Sequence, residues 1–173
     1  MGGKDRVETS GLAMDQTKRR WGFCRGRTSA GGGGLIRDHL GEILDAFCVP
    51  LVADSGLEAE LKSMLEGIPV AKAHSKQIWI ETDAEVVCSM LSKGHLGPAK
   101  LRHEIVMIRI ALKDISWKIS HIRREGNKAA DHLADLGKVC TSLTRFQADA
   151  VPGRVKALAR LDQLGMPNFS FRR

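Results

Sequence analysis

Ile78-Trp79-Ile80-Glu81-Thr82-Asp83-Ala84-Glu85-Val86-Val87 begins as a strand and ends as a helix. Ile78 and Ile80 share one face of an extended segment, and Trp79 favours a pleated environment. Val86, Val87, Met90 and Leu91 then recur at helical spacing, with Asp83 at the junction. A short carboxylate at such a junction can cap the first turn of the helix. It also stands at the carboxyl end of a strand, where an open α/β sheet gathers ligands and catalytic groups. Asp83 is therefore read both as an N-cap and as a candidate catalytic or metal-binding carboxylate, and its company decides between the two.

Toward the N-terminus, Ser55-Gly56-Leu57-Glu58 matches the S-x-x-E capping box and predicts a helix with the apolar stripe Leu57, Leu61, Met64, Leu65 and Ile68. Glu60 lies at the edge of that stripe, either drawn partly inward or exposed in a first turn that welcomes negative charge. Before it, Asp38-His39-Leu40-Gly41 reads as a hairpin turn, and residues 43–50 as the returning strand. The run Ala30-Gly31-Gly32-Gly33-Gly34-Leu35-Ile36-Arg37 lacks the G-K-[ST] ending and the following helix of a phosphate-binding loop. Its glycines are read instead as permitting close backbone approach within a sheet. Residues 21–24 offer a short opening strand. Residues 1–20 are polar, aperiodic and expected to be disordered, and Lys18-Arg19-Arg20 within them reads first as a solvated cluster and second as a nuclear-localisation or phosphate-contacting patch.

Toward the C-terminus, Gly94-His95-Leu96-Gly97-Pro98 breaks the chain, and Leu101, Ile105, Ile108 and Leu112 mark the buried side of a helix over 99–112. Ile115, Trp117 and Ile119 alternate as a strand does, with His121 at its end. Glu125-Gly126-Asn127 makes a turn, and Asn127 is a suitable N-cap for a helix carrying Ala130, Leu133, Ala134 and Leu136 up to Gly137. Asp131 falls in the first turns of that helix. Residues 139–173 read as a tail with a short helix marked by Val155, Leu158, Leu161 and Leu164, which either packs on the sheet or hangs free. The order of elements predicts an α/β sheet of mixed direction flanked by helices.

Composition bounds the partner. With 173 residues, 43% hydrophobic and 27% charged, the chain can bury one core and is expected to form one main domain over 21–138 and to be a monomer. A net charge of +7 favours a polyanion, nucleic acid first and an anionic membrane surface second. Cys24, Cys48, Cys88 and Cys140 are too scattered for a metal knuckle, and a chain of this length needs no disulfide staples. The start lacks an apolar signal core and no run approaches a membrane span, so a nuclear or cytoplasmic protein with no membrane partner is expected.

The pieces A-G-G-G-G-L-I-R-D, E-A-E-L (58–61), T-D (82–83) and S-H-I-R-R-E-G-N-K-A-A-D-H-L-A-D-L-G (120–137) together resemble the plant reverse-transcriptase-like branch of the type 1 ribonuclease H family. The resemblance implies a ribonuclease H-like five-stranded mixed sheet, three antiparallel strands followed by parallel ones. It also implies carboxylates that gather two divalent ions, Mg²⁺ or Mn²⁺, and hydrolyse the RNA strand of an RNA–DNA hybrid. Glu60 matches the family's helical Glu, Asp83 its Asp at the end of the central strand, Asp131 its final helical Asp and His121 its mobile His. Arg123, Arg124 and Asn127, with Lys76, Lys93 and Arg102, are expected to contact phosphate of a hybrid or of structured RNA. One departure stands out. Trp21-Gly22-Phe23-Cys24-Arg25-Gly26 resembles the family's D-G-S-C-R-G pattern with Trp21 in the acidic position. Asp15, the nearest upstream acid, lies about 20 Å away along an extended strand. The resemblance therefore implies a weakened hydrolase, a module that binds nucleic acid without cleaving it, or a degraded retroelement domain with no cellular role.

Overall fold

The structure, a computed structural model, describes residues 7–10 and 28–164. Its centre is a 6-stranded sheet with spatial order β5-β4-β1-β2-β3-β6. The strands are β1 (Val7–Ser10), β2 (Thr28–Arg37), β3 (Ile43–Ala53), β4 (Gln77–Thr82), β5 (Ser116–His121) and β6 (Thr144–Gln147). β1, β2, β3 and β6 pair antiparallel in that succession, while β4 runs parallel to both β1 and β5. This is the mixed α/β sheet expected from the sequence, extended by a sixth strand, β6, from the segment expected to be a tail. The antiparallel meander is present, and its first strand is Val7–Ser10 from the segment expected to be disordered. The expected strand over 21–24, Trp21 included, lies outside the described residues.

Five helices follow from local signals: α1 (Gly56–Lys72), α2 (Glu85–Ser92), α3 (Arg102–Leu112), α4 (Lys128–Gly137) and α5 (Gly153–Gln163). At the start of α1, Ser55 Oγ accepts from the Glu58 amide at 3.2 Å, while Glu58 Oε2 accepts from the Asp54 amide at 2.8 Å. The capping box therefore closes with its reciprocal arm one residue further out. In the hairpin between β2 and β3, Asp38 Oδ1 accepts from the amides of Leu40 and Glu42, and Gly41 supplies the left-handed φ of 81° that the turn needs.

The glycine run explains the layering. Successive residues of β2 face opposite sides of the sheet. A Cβ on Gly33 would come within 2.5 Å of the Ala134 amide nitrogen on α4, and one on Gly32 within 2.5 Å of Ser63 Oγ on α1. Both helices thus ride directly on the backbone of β2, one on each face. Leu61, Met64, Ile68, Ile78, Ile80, Ile105 and Ile108 fill the α1 and α3 side. Leu35, Ala46, Leu133, Val155 and Ala159 fill the α4 side, where α5 packs against α4. A buried ion pair from Arg37 to Asp162, 3.6 Å, also ties α5 to the end of β2. Among the described residues no helix is long and apolar enough to cross a membrane.

Candidate active site

The parallel arrangement of β4 and β5 brings their carboxyl ends to one edge, with Thr82 of β4 in register with His121 of β5. Thr82 shares the inward parity of Ile78 and Ile80 and is fully buried. Its hydroxyl donates to Glu60 Oε1 at 2.6 Å and accepts from the Ala84 amide at 3.1 Å. One side chain thereby fastens the turn carrying Asp83 to helix α1. The N-cap position of α2 belongs to Ala84 and has no side-chain cap, so the capping role considered for Asp83 is not the one it takes. Asp83 is half-buried in the turn between strand and helix.

Glu60 is drawn inward and only 2% exposed. Burial pushes its carboxyl from 4.5 up to about 8; the Thr82 hydrogen bond opposes this, and the charges of Asp83 and Asp131 add to it. Asp131, in the first turn of α4, is pushed from 3.8 up to about 6 by burial and by Asp83, against the pull of Arg124 and Lys128. Its Oδ1 is buried without a hydrogen-bond partner. Glu60, Asp83 and Asp131, which come from three separate elements, thus lie within one another's fields. They offer only hard oxygen donors, which suits a hard divalent cation in kind. Among the described residues, however, no group of three His, Cys, Asp or Glu is close enough to hold a metal ion.

The remaining predicted residues divide by exposure. His121, Arg123 and Arg124 are exposed around the same end of the sheet, the arginines at the turn leading into α4. Asn127 occupies the N-cap position of α4 but makes no side-chain cap; it is 1% exposed, and its amide nitrogen and oxygen have no partner. Burial keeps it from meeting a phosphate at the surface. The acid of the opening strand, Glu8, is in register with Trp79. Asp83 lies four residues further along, about 13 Å of strand away.

The inward parity that Thr82 shares with Ile78 and Ile80 is its signal in the sequence, beside the more conspicuous charge of Asp83. A cleft lined by α4 and α5 had no such local signal, since its residues converge only in the fold. Residues 22–137 match the sequence profile of the reverse transcriptase-like family. A curated Arabidopsis thaliana protein named "Putative ribonuclease H protein" is 31% identical over 147 residues, 83% of this chain and 24% of its own length. The chain thus spans about a quarter of that relative. The fold is similar to RNase H1 of the archaeon Halobacterium salinarum, with TM-score 0.63 and 20% identity over 78% of this chain and 97% of that one. It is also similar to LC11-RNase H1 crystallised with an RNA/DNA hybrid, with TM-score 0.62 and 17% identity over 79% and 97% of the two chains.

Proposed function

We propose a function from one premise: the chain belongs to the reverse transcriptase-like branch of the type 1 ribonuclease H family. On that premise it binds RNA–DNA hybrids, with structured RNA as a second class of partner, and hydrolyses the RNA strand weakly. The observation that carries the reading is the shared field of Glu60, Asp83 and Asp131. Carboxylates crowded in this way ionise together most readily when cations join them. These three residues would have to draw closer together to hold Mg²⁺ or Mn²⁺, two ions in the family's arrangement. Bound there, the ions would supply an activated water and stabilise charge at the departing 3′ oxygen.

The chain's own residues contribute the rest. Thr82 fixes the Glu60 carboxyl by donating to Oε1, which keeps its position constant when the site is uncharged. His121, exposed at the end of β5, would exchange a proton with the departing product. Arg123 and Arg124 would neutralise backbone phosphates.

Binding without turnover is the second reading. It is supported by the resemblance of residues 21–26 to the family's D-G-S-C-R-G pattern, which would put Trp21 in the acidic position, and by the open spacing of the described carboxylates. The experiment is cleavage of a labelled hybrid with Mg²⁺ or Mn²⁺, beside single-stranded RNA and duplex DNA. We expect hydrolysis slower by orders of magnitude than in an intact relative, a gain with Trp21→Asp, and loss of that gain when Asp83→Asn is added. Robust cleavage by the unaltered chain, dependent on Glu60 and Asp83, would overturn the impaired site. No cleavage by Trp21→Asp would leave the binding module, and equal affinity for hybrid, RNA and DNA would reduce even that to nonspecific attraction.

A further inference from the structure

Beside the carboxylates lies an open cleft of about 320 Å³, lined by Arg124 from the turn before α4, by Lys128, Asp131, His132 and Asp135 of α4, and by Arg154 of α5. Its far wall comes from outside the matched family span. Arg154 belongs to Gly153–Gln163, a helix beyond residue 137, where the family match stops. The packing of α5 on α4 through Val155 and Ala159 fixes this wall, and the Arg37–Asp162 ion pair anchors the other end of the helix.

The charges in the cleft are not balanced. Asp135 is paired with Lys138 Nζ at 2.7 Å, and Asp131 shares the field of the carboxylate cluster. Lys128 and Arg154 face the cleft as cations from the two helices, and Arg124 lines it from the turn. All three line the one cleft together with Asp131 and His132 of α4. Such an arrangement suits an anion with several oxygens, to which guanidinium can present a fork and ammonium a point charge.

Resting on the nucleic-acid reading above, we propose that this cleft seats a backbone phosphate of the bound strand next to the scissile position, between Lys128 of α4 and Arg154 of α5. The helix appended after the family's matched span is then part of the substrate surface. It lengthens the track of phosphate contacts on the Asp131 side, and the contact is indifferent to base sequence because only the backbone is read.

The test measures binding of a fluorescent RNA–DNA hybrid by the full chain, without divalent ions, across a NaCl titration. Arg154→Ala should weaken affinity severalfold and make the log–log salt slope shallower by about 0.9 on a duplex. Arg154→Lys should restore most of the slope, and Lys128→Ala should repeat the loss. Arg160, exposed on the same helix but outside the cleft, serves as the charge control. An Arg154→Ala slope equal to that of the unaltered chain, or an equal loss with Arg160→Ala, would overturn the contact. Because cleavage is not read, a chain that binds without cutting still tests the proposal, and failure to bind any nucleic acid would overturn this contact and the nucleic-acid reading together.

Discussion

Glu60 keeps a proton that the unfolded chain has already released, and this ties the metal-free protein's stability to pH. Its carboxyl stands at about 8 in the fold against an ordinary 4.5. The stabilising contribution is therefore complete below pH 4.5 and is lost as pH rises through 8. In the presence of a chelator, denaturant midpoints should fall from pH 5 to pH 8. Glu60→Gln, whose amide oxygen can still accept from Thr82, should flatten that fall and stabilise the protein at pH 8 by on the order of 3 kcal/mol. A midpoint at pH 8 unchanged by the substitution would show that the buried carboxyl is not carrying the penalty. Thr82→Val should act in the opposite sense, loosening the turn that carries Asp83 by about 1–2 kcal/mol in urea unfolding.

Among the elements, those with dense local signals were read from the sequence and those with sparse ones were not. Helix α1 announced itself through its capping box and stripe, and β4 through the alternation of Ile78 and Ile80. Strand β6 is 4 residues long and has Phe146 as its single large apolar side chain, so its existence depends on a partner strand far off in the chain. Asp83 at a strand–helix junction, Glu60 at the edge of an apolar stripe and Asp131 in a motif piece each have a local signal, whereas Arg154 has none, because α5 meets α4 only after both have packed. The close contact between β2 and α4 makes a prediction of its own. Gly33→Ala should cost about 1–3 kcal/mol, since its Cβ would meet backbone of Leu133 and Ala134 that has no room to yield. Gly153→Ala, at the open start of α5 with nothing within 4 Å, should be neutral or stabilising, and urea melts of the pair separate crowding from a general effect of replacing glycine. Between β3 and the segment after α4, Cys48 and Cys140 hold their sulfurs 3.2 Å apart as free thiols. Burial pushes the Cys48 thiol up to about 12, which leaves little thiolate on that side. Oxidised glutathione should therefore link the two slowly, releasing two reduced glutathiones, with an intramolecular loss of two hydrogens by mass spectrometry; Cys48→Ser should abolish the bridge.

Across the whole molecule, the two faces of the sheet are covered by helices from different parts of the chain, and the α4 face is finished only by α5. Leu35, Ala46 and Leu133 share their buried cluster with Val151, Val155 and Ala159. A chain ending at residue 138 should consequently expose an apolar surface, bind a hydrophobic dye and lose several degrees of melting temperature; retention of the full melting temperature would show that the matched family span is self-sufficient. The outer edge of the sheet is finished just as late. Asp45, 1% exposed on β3, receives Arg145 Nε of β6 at 2.7 Å and His74 Nε2 at 3.0 Å, the first of these across 100 residues of chain. Pairings of such separation close slowly, after the local ones. During synthesis, β3 must therefore emerge, fold against β2 and wait with one flank uncovered until the residues of β6 clear the ribosome. In that interval a neighbouring nascent chain can offer the same hydrogen bonds. The rate at which the stretch of message from β3 to β6 is translated then helps decide whether a polypeptide completes its own sheet or joins another's.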